Sequence, residues 1–394
     1  MQMQALGRRS SDNTEHMVPE VIGAVSLGVW LWLLLARGGF WRMQVDEEVV
    51  PAESTRKVAV IIPARNESEV VGAAIVSLLK QDYGVAVHVF LVDDHSSDGT
   101  AEVARRAAAE AADRFTIVTA RPLPLGWSGK LWAVSEGLVA AESFQADYYW
   151  LTDADIVHQP DNLRALVARA ESHNLDLVSL MVKLRCQSWA EKFLIPAFVF
   201  FFFKLYPPAW VASRDRRTAA AAGGCILIRP KALERMGGIA AIRDQLIDDC
   251  ALAHAVKRGG GGVWLGLTTK AHSLRSYGSA TEVGRMISRT AFTQLACSTL
   301  MLFGALGGMF VTYLAPPLLL WFGGWAAVLG GAAWLLMSIT FWPTVRFYGL
   351  SPLWAPLLPL TAAFYTGATV WSAIQHWRGQ GGWWKGRVQG PVRS

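Results

Sequence analysis

Between residues 57 and 172, short β-branched runs alternate with helical stretches, and each run ends in a polar cluster. KVAVIIPA leads into RNE, VHVFLVDD into HSSDGT, RFTIVTA into RPLPLGWSGK, and ADYYWL into TDAD. The intervening segments SEVVGAAIVSLLKQ, DGTAEVARRAAAEAA, GKLWAVSEGLVAA and PDNLRALVARAESH carry apolar residues at helical spacing, the last with Pro160 near its first turn. Strands alternating with helices of this length predict an α/β domain built on a mainly parallel, doubly wound sheet. Ligands of such sheets bind beyond the carboxyl ends of the strands, where these clusters fall.

Strand-end carboxylates can hydrogen-bond sugar hydroxyls or hold a metal ion. In TDAD, Asp153 and Asp155 are two apart, so an extended chain projects both to one face. Mg²⁺ uses such a pair when a diphosphate supplies further oxygens, because it takes one or two carboxylates together with substrate phosphates and water. A solvated loop is the plainer reading of an isolated DxD; here the motif ends an apolar strand beside three other polar strand ends. Asp94 is a candidate contact for the base or ribose of a nucleotide, while Ser97, Asp98 and Gly99 turn the chain and cap the next helix. Neither His95 nor His158 is needed as ligand or base. No GxGxxG follows the first strand, which disfavours a dinucleotide-dependent dehydrogenase.

The chain as a whole is too apolar for a typical soluble enzyme: 52% of its 394 residues are hydrophobic, only 17% are charged, and it has 18 tryptophans. Residues 18–36 are long enough to cross a bilayer once, and the run lacks the exit site of a signal peptide, so a retained anchor follows a tail over 1–17. Arg37 and Arg42 place the next domain, expected over 57–290, in the cytoplasm, against the opposing weight of Arg8 and Arg9. Residues 297–375 are nearly continuously apolar, broken by Pro316-Pro317, Gly323-Gly324, Arg346 and Pro352. Hydropathy favours three crossings there. The basic tail over 376–394, with Arg378, Lys385, Arg387 and Arg393, favours two crossings plus a re-entrant segment, and charge is the stronger guide to orientation. Residues 193–211, interrupted by Pro196, Lys204 and Pro207-Pro208, read as a helix at the membrane surface or a buried core helix.

The net charge of +6 suits anionic headgroups or an anionic substrate, but no basic block interleaved with aromatics points to nucleic acid as a partner. Cys186, Cys225, Cys250 and Cys297 are scattered without CxxC or histidines at ligand spacing, so neither a disulfide framework nor a zinc site is expected.

PARNE, LVDDHSSDGT, GWSGKLWA, TDADI and IDDC resemble the successive motifs of family 2 glycosyltransferases with the GT-A fold. The wording GWSGKLWA, TDADIVH, NLDLVSLMVKLRC, IPAFVFFF, AAAAGGCILIRP, GGIAAIRDQLIDDCALAHAVKRGG and RTAFTQL is similar to hopene-associated glycosyltransferases of bacterial hopanoid clusters, and more distantly to ceramide and carotenoid glycosyltransferases. The resemblance implies a multi-pass protein of the bacterial inner membrane that moves one sugar from a nucleotide-sugar, a UDP-sugar, to a membrane lipid with the help of Mg²⁺ or Mn²⁺. It implies that Pro63, Ala64, Arg65, Glu67 and Asp94 contact uracil and ribose, that Lys130 lies near the nucleotide's phosphates, and that Asp153 and Asp155 form the metal and nucleotide motif, with Asp155 the direct ligand. It places the catalytic base in LIDDC, at Asp249 with Asp248 as its rival. A helix-start solvated lysine is the plainer reading of Lys130.

One motif departs from the pattern. Many membrane members carry (Q/R)xxRW after the base; here GRMISRTAF spaces Arg285 and Arg289 one residue too far and has Thr290 in place of Trp. That departure, with the small number of apolar segments, disfavours processive polymer synthesis and favours transfer of a single sugar. Arg289 is left with two readings, a contact to diphosphate or acceptor and a basic face near headgroups.

Overall fold

The eight strands of the main sheet are β1 (Val58–Ala64), β2 (Val87–Asp93), β3 (Phe115–Thr119), β4 (Tyr148–Leu151), β5 (Ile156–His158), β6 (Leu177–Lys183), β7 (Ile226–Ile228) and β8 (Val263–Ser273), in the order β3-β2-β1-β4-β7-β6-β8-β5. They belong to a computed structural model that describes residues 2–45, 55–380, 383–384 and 387–388, with side chains over 17–45 and 55–380. The side chains of Arg8, Arg9, Lys385, Arg387 and Arg393, on which the expected charge balance of the tails turned, lie outside the described residues. Contacts divide the chain into an α/β unit (Gln44–Arg185, Pro208–Ser276 and Trp377–Ser394) and a helical unit (Met1–Met43, Cys186–Pro207 and Tyr277–His376).

In the α/β unit, β1 is buried along its whole length because helices cover both faces of the sheet, which is why VAVIIPA reads as an unbroken apolar run. The helices Val71–Leu79, Gly129–Ala141 and Asn162–Ser172 fall within the segments that the apolar spacing marks. Ser128 caps the second by accepting from the Leu131 amide at 3.3 Å. A Cβ on Gly137 of that helix would lie 2.5 Å from Ile61 Cγ2 and 2.8 Å from Val92 Cγ2, so glycine lets the helix settle onto β1 and β2.

The sheet is mixed rather than mainly parallel throughout. β1 to β4 run parallel, but β7 is antiparallel to β4 and β6, and β5 is antiparallel to β8. Reversal of β7 has a consequence for placement. Ile226, at its start, pairs with Leu151, at the end of β4, so the chain just before β7 arrives at the carboxyl end of β4. Likewise Ser273, the last residue of β8, pairs with Ile156 and brings the segment after β8 beside Asp155.

Among the described residues five helical segments are long and apolar enough to cross a membrane: Met17–Leu35, Thr299–Phe322 and Gly324–Phe347 lie wholly in the helical unit, Pro352–Trp377 lies there up to His376, and Trp189–Ala212 has its first part there. Pro196 does not interrupt its helix, which runs unbroken over Trp189–Leu205, while Pro208 opens the short helix Pro208–Ala212. The segment Pro208–Ser276 of the α/β unit is followed by Tyr277–His376, which groups with the helices. A π-helical turn at Phe310–Leu314 precedes Pro316, which has no N–H to offer the Thr312 carbonyl. Trp30 Nε1 donates to Thr312 O at 2.7 Å and Ser26 Oγ to Val311 O at 2.8 Å, so side chains one helical turn apart satisfy what the irregular turn leaves open.

Candidate active site

The parallel register aligns the ends of β1, β2 and β4. Ala64 pairs with Asp93, and Thr152 follows Leu151 beside β1 by donating its amide to Ile61 O at 3.2 Å. Beyond these ends, Lys130, at the start of its helix, donates to Asp153 Oδ1 at 2.9 Å and lies 3.3 Å from Asp248 Oδ2. Asp248 and Asp249 open the helix Asp248–Arg258, where the positive end of the helix dipole suits carboxylates. Asp249 is held from two sides: Gly223 N donates to Oδ2 at 2.9 Å and Cys250 N to Oδ1 at 2.7 Å. A Cβ on Gly223 would lie 3.1 Å from Lys130 Nζ and 3.5 Å from Asp249 Oδ2, so the chain before β7 forms the floor of the cluster only because it carries no side chain there.

The charges in this cluster do not balance. One ammonium faces Asp153, Asp248 and Asp249. Burial and the charge of Asp248 push the Asp249 carboxyl up to about 6, against the pull of Lys130 and the two amides. Burial also lifts Asp153 above the usual carboxylate range; Lys130 pulls it down and Asp155 adds to the rise. For Lys130, burial opposes the charge, but Asp153, Asp248 and Asp249 outweigh it and hold the ammonium above its ordinary value. Beneath the cluster lies a cavity of about 20 Å³, with Leu131, Ile226 and Ile242 in its wall. That is room for one water and far below the about 300–1,000 Å³ of a ligand pocket.

The two aspartates of TDAD do not share one face. β4 ends at Leu151, and Asp153 O accepts from Ile156 N at 3.2 Å, so Asp153 to Ile156 is a turn and the two-residue alternation of a strand no longer applies. Asp153 turns toward Lys130. Asp155, 7% exposed, accepts from Ser273 Oγ at 2.6 Å through Oδ2, with Arg275 Nε at 3.5 Å from the same oxygen. Both contacts fall on Oδ2.

The remaining strand-end residues form a second cluster. Arg65 Nη1 donates to Asp94 O at 2.5 Å and lies 3.4 Å from its carboxylate, which is 1% exposed. Glu67 accepts from Arg275 Nη2 at 2.8 and 3.0 Å. Asn66 and Asp98 stitch the two strand-end loops together: Ser97 N donates to Asn66 Oδ1 at 2.9 Å, and Asp98 accepts from Ser68 N and Thr100 N, each at 3.0 Å. Burial would raise the Asp98 carboxyl, but the bonds from Thr100 and Ser68 hold it at about 2. Pro63 lines the cavity, and Ala64 is the buried last residue of β1. His158 is buried between Thr152 Oγ1 (2.9 Å) and Asn162 Nδ2 (3.0 Å), and burial pushes it down to about 3, as suits a neutral structural histidine.

Arg275, Ser273 and Gly223 carry no motif signature as site residues, and only the antiparallel entry of β7 and the β8–β5 pairing bring them in. Arg285 and Arg289 are exposed residues of the helical unit. The four cysteines are free thiols. Among the described residues no group of three or more His, Cys, Asp or Glu is gathered as a metal cage. Two carboxylates plus diphosphate oxygens nevertheless make a donor set Mg²⁺ accepts, and the surplus of negative charge around Lys130 favours a cation.

A mixed sheet with acids at the carboxyl ends of β1, β2 and β4 is the GT-A architecture of glycosyltransferases. Its fold is shared with a mannosyltransferase of Pyrobaculum calidifontis, solved with GDP-mannose and Mn²⁺, at TM-score 0.56 and 18% identity over 91% of this chain and 99% of that one. Residues 59–237 match the model of the family described as Glycosyl transferase family 2, a stretch that spans Arg65 to Gly223 but not Asp248, Asp249 or Arg275. An N-acetylglucosaminyltransferase of Rhizobium leguminosarum bv. viciae is 26% identical over 205 residues, which are 51% of this chain and 43% of that relative. The chain therefore matches less than half the length of that relative.

Proposed function

We propose that this protein is a membrane-attached glycosyltransferase that moves a single sugar from a UDP-sugar to the hydroxyl of a membrane lipid, hopanoid-related, by a cation-dependent inverting displacement. One observation carries the reading. Asp249, held by two backbone amides and raised to about 6, stands beside Lys130 and Asp153 at the carboxyl edge of the sheet. A carboxylate with that pKa is ionised at neutral pH yet basic enough to take a hydroxyl proton.

Arg65, Glu67 and Asp94 stand at the strand ends where uracil and ribose would lie, with Pro63 in the cavity wall and Ala64 the buried last residue of β1 beside it. Lys130 lies where its ammonium offsets phosphate charge. Asp153 and Asp155 would hold a Mg²⁺ or Mn²⁺ ion, which supplies electrostatic stabilisation of the leaving diphosphate. As the acceptor oxygen attacks the anomeric carbon, its proton passes to Asp249, the C–O bond to the diphosphate breaks, and the anomeric centre inverts. A single base suffices, because no glycosyl-enzyme intermediate forms. Asp248 acts on this base through its charge.

The lipid acceptor is supported by the five membrane-length apolar helical segments among the described residues and by the motif wording similar to hopene-associated glycosyltransferases. Arg37 and Arg42 support a catalytic unit on the cytoplasmic side of a bacterial inner membrane, with residues 193–211 at its surface and a re-entrant piece within 297–375. Incubating the purified protein with radiolabelled nucleotide sugars and native membranes, then extracting lipids, tests donor and acceptor together. A labelled hopanoid is the expected product. Labelled polyprenyl phosphate, ceramide or carotenoid would replace the acceptor, and metal-independent nucleotide binding with no labelled lipid would leave an inactive scaffold.

A further inference from the structure

Arg275 lies two residues beyond β8 and touches two carboxylates that the sequence separates widely. Its Nη2 is 2.8 and 3.0 Å from the two oxygens of Glu67, and its Nε is 3.5 Å from Asp155 Oδ2. Ser273 completes the arrangement: its hydroxyl donates to Asp155 Oδ2 at 2.6 Å and accepts from the Arg275 amide at 3.2 Å. One guanidinium therefore joins the glutamate read as a nucleotide contact to the aspartate read as a cation ligand.

We propose that Arg275 is a positioning residue that occupies the cation's place beside Asp155 until a nucleoside diphosphate binds, so that cation affinity is low on the free protein and rises with the nucleotide. This rests on the donor-site reading above. A guanidinium does not lose its proton, so the positive charge beside Asp155 is permanent. Mg²⁺ must approach a carboxylate oxygen to about 2.0–2.1 Å, which sets its two charges within a few ångströms of that guanidinium, where repulsion is worth a tenfold change in affinity or more. On the free protein, the Arg275 guanidinium already offsets negative charge at Glu67 and Asp155. A diphosphate brings further negative oxygens and makes room for both cations. Asp155 Oδ2, which the Arg275 Nε faces at 3.5 Å, is the oxygen for which the guanidinium and a cation compete.

The test is Mn²⁺ titration followed by electron paramagnetic resonance, with and without UDP, on the full chain and on Arg275→Gln and Arg275→Lys, with melting temperatures recorded alongside. The wild type is expected to bind Mn²⁺ at least tenfold more tightly with UDP. Arg275→Gln is expected to tighten nucleotide-free Mn²⁺ binding about tenfold and to shrink the UDP effect by the same factor, and Arg275→Lys to return both toward wild type. If Arg275→Gln lowers the melting temperature but leaves nucleotide-free Mn²⁺ affinity unchanged, Arg275 is a structural ion-pair residue and the proposal is wrong. If the wild type binds UDP and Mn²⁺ in neither combination, the donor-site reading itself fails and takes the proposal with it.

Discussion

Each unit of the molecule contains a partly buried lysine with a distinctive setting, Lys130 in one and Lys204 in the other, and the two are treated in opposite ways. In the α/β unit, Lys130 faces three carboxylates, of which at most one is offset by its charge. In the helical unit, Lys204 donates to the Tyr313 hydroxyl at 2.8 Å and lies over the rings of Phe201 and Tyr313. None of those partners carries charge. An excess of acid around an ammonium leaves negative charge available to a cation and to a proton, the two things a glycosyl transfer must manage. An ammonium satisfied by a phenol and two rings has only been made compatible with an apolar setting.

The largest effect that could break this contrast comes from Lys130→Met. Removing the single cation from three acids should reduce kcat/KM for sugar transfer by at least about a hundredfold. It should also move the acid limb of the pH profile above 6, because Lys130 now holds Asp249 down. A variant with its limb unmoved would show that the lysine does not set the base. Gly223→Ala comes next: the new methyl would press on Lys130 Nζ and Asp249 Oδ2, and turnover should fall about tenfold with little change in melting temperature.

A smaller effect has a defined sign. With Asp249 as the proposed base, which must be ionised to accept a proton, kcat/KM should fall tenfold per unit below about pH 6. Asp248→Asn removes the neighbouring charge that raises Asp249 and should shift that limb to lower pH, opposite to Lys130→Met. The folded pKa of Asp249 lies above its ordinary 3.8, so the stability that its protonation contributes is present below about pH 4 and is lost as pH rises through about 6. Thermal melts of wild type and Asp249→Asn across that window should diverge only toward the alkaline side, with the variant the more stable. The smallest expected effect is that of Lys204→Met, which should leave nucleotide binding within about twofold of wild type; a larger change, read by titration calorimetry, would erase the distinction between the two lysines.

Much of the α/β unit was legible because its signals are local. The strand Val58–Ala64 and the helix Gly129–Ala141 follow from apolar runs and from Ser128 as a cap, and they deliver Arg65, Glu67 and Lys130 to one edge. Asp153 and Asp155 were legible as a pair but not as a geometry. Strand alternation holds only while the chain is extended, and the bond from Ile156 N to Asp153 O folds it into a turn. Arg275 and Gly223 were not legible as site residues at all, since only pairing between strands distant in sequence, β4 with β7 and β5 with β8, puts them there. Pro196 sits inside an unbroken helix, where Tyr365 OH donates to Leu194 O at 2.9 Å and Thr361 Oγ1 to Phe193 O at 3.2 Å in the turn before it.

Asp249 decides the account more directly than any other residue. Sugar transfer to lipid and binding of UDP should be measured side by side on wild type and Asp249→Asn, a replacement that keeps an acceptor for the Gly223 amide but cannot take a proton at neutral pH. Transfer is expected to fall by about a thousandfold or more, with UDP affinity within a few-fold of wild type. Transfer that survives the substitution, with binding intact, would contradict it and move the base to another residue.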